Sequence, residues 1–190
     1  MRQSMKNKSE KNIKLNNKAN LTLSIDSRLL DEIKEDSDLQ GVSINSKVNA
    51  ILTKYMSFYK ISEELECSII PSKLWSSMLD LMDGAKLLNI LNNECVDVTY
   101  SMFLNNNVQT TLDSFIKNYC QEIGLWCGMY SSFRKFNEKD QVTLVFEHRF
   151  GSKWSKILGE VLINIIRTML NYSAEVQILP NIVRIIVQEK

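Results

Sequence analysis

The chain has 190 residues, 44% hydrophobic and 24% charged, with two prolines, six glycines and a formal net charge of +1. This composition suits a folded chain and excludes collagen-like and low-complexity classes. No apolar run approaches the roughly 18 residues that span a bilayer, so no membrane segment is expected. The first twenty residues lack the apolar core of a secretory signal, which makes the expected location cytoplasmic.

Cys67, Cys95, Cys120 and Cys127 are far apart, form no CxxC pair and accompany a single histidine. No metal site and no cofactor is expected from this set, and the cysteines read as free thiols acting as small hydrophobes. The charge is unevenly placed. Residues 1–20 carry Arg2, Lys6, Lys8, Lys11, Lys14 and Lys18 against Glu10, giving 6 − 1 = +5, and the rest of the chain has 17 − 21 = −4. Residues 1–19 therefore read as a basic arm, disordered when free because it has too little apolar surface to bury.

From Asn20 the pattern Asn20-Leu21-Thr22-Leu23-Ser24-Ile25 alternates polar and apolar, which predicts a half-buried strand. Asp26-Ser27 offers a helix N-cap, followed by the apolar residues Leu29, Leu30 and Ile33, and this helix ends before Gly41. Ser43 caps a second helix with Ile44, Val48, Ile51, Leu52, Tyr55 and Met56 on one face. A strand and two short helices cannot bury their edge and faces alone, so a homodimer is expected.

Residues 20–57 resemble the ribbon-helix-helix DNA-binding domains of the Arc, MetJ and CopG type. The matching residues are the strand Leu21-Thr22-Leu23-Ser24-Ile25, the helix start Asp26-Ser27-Arg28-Leu29-Leu30 and the turn Gly41-Val42-Ser43-Ile44-Asn45-Ser46 leading to Val48. The resemblance implies that the strands of two subunits pair and enter the DNA major groove. With Leu21, Leu23 and Ile25 inward, Asn20, Thr22 and Ser24 become the base-reading residues and Lys18 reaches phosphate. It further implies a phosphate held by the start of the second helix, at Ser43, Ile44 and Asn45. The central groove-facing residues are uncharged here, unlike those of many relatives, so the basic arm would supply phosphate contacts.

Further along, Pro71 opens a helix with Leu74, Trp75, Met78, Leu79 and Met82, and a short helical stretch follows Asp83-Gly84. Val96, Val98, Tyr100 and Met102 alternate as a strand, and Leu112 to Ile123 form a helix. Met129 to Phe136 and Gln141 to Phe150 form a hairpin, and Ser152 caps a long helix carrying Trp154, Ile157, Leu158, Val161, Leu162, Ile165 and Ile166. Ala174 to Leu179 and Ile182 to Val187 are strands around Pro180-Asn181. The order βαββαβ with an extra strand predicts a ferredoxin-like α+β sandwich.

The expected organisation is then a basic arm (1–19), a ribbon-helix-helix domain (20–59), a helical spacer (60–94) and an α+β effector or assembly domain (95–190). In outline this is similar to the nickel-responsive repressors, but one histidine is too few for their metal chemistry. The segment Phe146-Glu147-His148-Arg149-Phe150-Gly151-Ser152-Lys153-Trp154-Ser155 also resembles uncharacterised archaeal ribbon-helix-helix proteins. His148 shares its strand face with Val142, Leu144 and Phe146, which favours a core histidine; as an alternative, His148, Arg149 and Ser152 form a candidate effector pocket.

No nucleophile and base stand at a recognisable spacing, and no phosphate-binding glycine loop or HExxH is present, so an enzyme is not expected. The acids Asp31-Glu32, Glu35-Asp36 and Glu63-Glu64 read as a solvated helical face. The expectation is a homodimer, with higher assembly open, that binds double-stranded DNA as a transcriptional regulator, with repression the expected sign and the effector unidentified. The alternative is a protein-interaction or dimerisation module, antitoxin-like or architectural, without sequence-specific promoter control.

Overall fold

A computed structural model describes residues 19–64 and 67–188. The basic arm up to Lys18 and its expected disorder lie outside the described residues. The chain divides into two units, one ending at Val48 and one beginning at Asn49.

In the first unit, α1 (Ser27–Gln40) begins where Asp26 Oδ1 accepts from the amides of Arg28 and Leu29, at 3.0 and 3.3 Å. These bonds occupy two of the donors that every helix start leaves over. Gly41 ends the helix with φ +64°, and the Gly41 and Val42 amides return to the carbonyls of Asp38 and Ser37. Such a left-handed cap is readily adopted by glycine. Helix α2 (44–64) runs as α-helix over Ile44–Lys54, widens to π-helical turns over Tyr55–Tyr59, and resumes as α-helix over Lys60–Glu64. Ser43 caps it, accepting from the Ser46 amide at 3.1 Å.

Residues 19–26 belong to no helix and no ladder. This corrects the strand expected over Asn20–Ile25 and, with it, the ribbon-helix-helix fold expected over 20–59, since among the described residues no strand precedes α1. Period-two alternation supplies a strand's faces but not its hydrogen-bonding partner, and among the described residues of the chain this segment pairs with nothing.

The second unit contains one four-stranded sheet, β1 (Ser132–Asn137), β2 (Gln141–Glu147), β3 (Ala174–Leu179) and β4 (Ile182–Gln188), in the order β1-β2-β4-β3. All neighbouring pairs are antiparallel. Its helices are α3 (Ser72–Leu81), α4 (Gly84–Asn105), α5 (112–126, π-helical over Phe115–Ile123) and α6 (Gly151–Thr168). Including α1 and α2, six helical runs are present among the described residues, all but α6 before the first strand.

The ferredoxin-like expectation is therefore also corrected. That fold needs helical crossovers between parallel strands, whereas here two hairpins flank one helix as β1-β2-α6-β3-β4 and join through the β2–β4 ladder. The strand expected over Val96–Met102 is the second half of α4. Its period-two alternation suggested a strand, but Leu88, Leu91, Cys95, Thr99 and Met102 recur at helical spacing, and all five are buried or half-buried.

The core lies on one sheet face. Val142 pairs with Val187, Leu144 with Ile185 and Phe146 with Val183, and all six are at most 2% exposed. Helix α6 packs on β3 and β4, and α4 packs on α6. Trp154 Nε1 donates to the Met129 carbonyl at 2.8 Å, fixing the start of α6 to the turn before β1. Gly124 is required by close approach: a Cβ there would lie 1.9 Å from the Tyr130 hydroxyl, which donates to the Cys120 carbonyl at 2.8 Å. None of the helices built from described residues is long and apolar enough to cross a membrane.

Candidate nucleic-acid interface

Of the described residues of the first unit, Ser37 alone is buried, its hydroxyl donating to the Ile33 carbonyl at 2.6 Å. Every apolar side chain there is exposed or half-buried. Leu21 is 73% exposed and Leu23 49%, while Ile25 is half-buried. Asn20, Thr22 and Ser24, between them, are also exposed. Among its described residues this unit has no buried apolar core.

Ser43, Ile44 and Asn45 are all exposed at the start of α2, the positive end of that helix dipole. The Ser43 hydroxyl also lies 2.8 Å from that of Ser46, so Ser43 is engaged in capping. Lys18 lies outside the described residues. Lys47, which the sequence reading did not single out, forms an ion pair with Asp36 and donates to Gln40 Oε1 at 3.1 Å, bracing α2 against α1. Its Asp36 partner lies beyond a turn, so no helical i,i+4 spacing signals the pair.

Electrostatically, the described part of this unit is acidic. Residues 19–48 hold Arg28, Lys34 and Lys47 against Asp26, Asp31, Glu32, Glu35, Asp36 and Asp38. Arg28 and Lys34 pair with Glu32 and Asp31 at 3.5 and 3.0 Å, exposed i,i+4 and i,i+3 contacts of little energetic weight. Phosphate attraction would fall chiefly to residues 1–18.

The candidate effector residues separate in the second unit. His148 is 5% exposed, with Nε2 2.9 Å from Ser155 Oγ and Nδ1 accepting from the Phe150 amide at 3.1 Å. Burial lowers its pKa below the ordinary 6.5. Arg149 is exposed and lines a hollow with Ser72, Tyr130, Ser131 and Phe150, and neither His148 nor Ser152 reaches that hollow.

Among the thiols, Cys120 is fully buried and its pKa lies well above the ordinary value for that reason. Burial, with a smaller contribution from Cys67, pushes Cys127 up to about 11. Among the described residues no three histidine, cysteine or acidic side chains group as metal ligands.

The chain matches no protein-family model and no curated protein.

Proposed function

We propose that the protein is a homodimeric, sequence-specific DNA-binding regulator that acts by occupying its site. The observation carrying this reading is the segment 20–25, where exposed leucines alternate with exposed polar residues and no ladder among the described residues uses the backbone. In the dimer, Leu21, Leu23 and Ile25 of two copies pack together, and the paired segments present Asn20, Thr22 and Ser24 to base edges in the major groove. Asparagine can pair bidentately with adenine, and the hydroxyls can donate or accept. The start of α2, around Ser43, Ile44 and Asn45, lies against phosphate, and the basic residues up to Lys18 add sequence-independent attraction. Occupancy of a promoter by such a dimer blocks access, which makes repression the expected sign.

Leu23→Glu tests the reading. The variant should sediment as a monomer at concentrations where the parent is dimeric, and it should lose DNA binding in the same range. A dimeric parent whose DNA affinity survives this change would contradict the proposal.

The acidic balance of residues 19–48 favours a second reading, a dimerisation module that binds another protein rather than DNA. Under it, Leu23→Glu abolishes the dimer while the parent shows no preference among DNA sequences at physiological salt.

A further inference from the structure

The second unit holds a half-open hollow of about 180 Å³ between the π-helical turn of α2, the middle of α4 and the π-helical part of α5. We propose that this hollow is a binding site for a small, uncharged, single-ring aromatic molecule. The hollow is a surface concavity whose lining is almost wholly apolar, the usual character of small-molecule sites. Its volume is close to that of an engineered apolar cavity of about 150 Å³ that takes up benzene.

The walls select against charge. No lysine, arginine, aspartate or glutamate lines the hollow among the described residues. Its polar side chains are largely engaged: the Thr99 hydroxyl donates to the Cys95 carbonyl at 2.6 Å, and the Tyr119 hydroxyl points to Met129 Sδ at 3.8 Å. An ion entering here would give up water for nothing, which is costly.

The walls also favour a ring. Cys67, Cys95, Met102, Cys127 and Met129 bring five sulfur atoms to the lining, and sulfur makes favourable contacts with aromatic rings. Burial raises the thiol of half-buried Cys95 above its ordinary value, which keeps it neutral at neutral pH. Phe58, 7% exposed and edge-on to Trp126, adds an aromatic wall from the π-helical turn. Wide helical turns of this type occur often at functional sites.

The test uses the full chain labelled with 13C in its methionine methyl groups and titrated with toluene. Saturating shifts are expected at Met102 and Met129, with Met78 and Met169 unmoved. Benzoate, the charged counterpart, should bind about tenfold or more weakly because its carboxylate would be desolvated. Val98→Trp, at a rim position 43% exposed, should fill the space and remove the toluene response while leaving the Met78 and Met169 signals in place. Absence of a saturable shift at Met102 and Met129, equal shifts at all methyls, or equal binding of benzoate would overturn the proposal; so would unchanged toluene affinity in a folded Val98→Trp chain. No DNA is present, so the outcome is independent of the DNA-binding reading.

Discussion

His148 and Ser155 tie the end of β2 to the first turn of α6, with the ring Nε2 and the hydroxyl 2.9 Å apart. Since Nδ1 accepts from the Phe150 amide, the proton sits on Nε2 and the ring donates to Ser155. The His148 amide in turn donates to the Asn181 carbonyl at 3.0 Å, and the Gly151 amide to Asn181 Oδ1 at 2.9 Å. One neutral imidazole and one turn asparagine thus join both hairpins to the start of the helix between them.

This arrangement sets a pH dependence. The folded ring has a pKa below its unfolded value of 6.5, so the unfolded chain binds the proton more readily. The contribution to stability is fully present above pH 6.5 and is lost as the pH falls from there through the lowered folded value. Urea midpoints measured from about pH 8 down to about pH 5 should fall more steeply for the parent than for His148→Gln. Parallel curves would contradict this account of the ring.

Lys153 is a second tie, with its ammonium donating to the carbonyls of Leu79, Asp80 and Met82 at 2.7, 3.2 and 3.2 Å. A cation at the carbonyl end of α3 meets both the leftover acceptors and the negative end of the helix dipole. Lys153→Met keeps much of the stem's packing and should cost about 1–2 kcal/mol, read from thermal or urea unfolding. A loss below a few tenths would mean that water replaces the lysine without penalty.

At the turn from α5 to β1, Tyr130 fills the space that Gly124 leaves. Gly124→Ala should destabilise by about 1–3 kcal/mol through overpacking. Tyr130→Phe retains the ring and removes only the bond to the Cys120 carbonyl, so its cost should be smaller, about 1 kcal/mol. The order of the two losses in urea unfolding is the check, and a reversal would show that the hydrogen bond outweighs the close approach.

For the DNA reading, Asn20→Ala or Thr22→Ala should relax preference at one base pair, each costing about 1–3 kcal/mol on the preferred site and little on others. Deleting residues 1–17 should weaken binding to all sequences and flatten the dependence on salt, because phosphate contacts are what salt screens. Titrations at several salt concentrations separate the two effects.

Much of the second unit was legible because its periodicities are long and its turns carry their own chemistry. The α6 stripe from Trp154 to Ile166 repeats over several turns, and both hairpins have turn residues between alternating runs, as at Pro180-Asn181, where Asn181 adopts φ +62°. The capping residues Asp26 and Ser43 sit at helix starts because short polar side chains satisfy leftover amides there, whereas Ser152, expected to cap α6, lies inside that helix, which starts at Gly151 without a side-chain cap. Val96 to Met102 misled because its period-two alternation fits a strand, whereas the helix buries Thr99 and Met102, half-buries Cys95 and leaves Val98 and Tyr100 exposed. The π-helical turns at Tyr55–Tyr59 and Phe115–Ile123 have no periodic signature of their own. Tyr119 keeps the expected face with Phe115, Ile116 and Ile123, but the hollow also needs Cys67, Cys95 and Met129 from distant segments, which spacing alone cannot bring together. At Asn20–Ile25 the alternation suggested a strand, but a strand needs a pairing partner, and among the described residues this segment has none.

The most direct test of the central claim is selection of bound fragments from the source organism's DNA by the full chain at roughly physiological salt, where non-specific phosphate attraction is weak. The account predicts recovery of a short two-fold-related motif near promoters, lost in the Leu23→Glu chain. Recovery of DNA without a motif, or of no DNA at all, would contradict it.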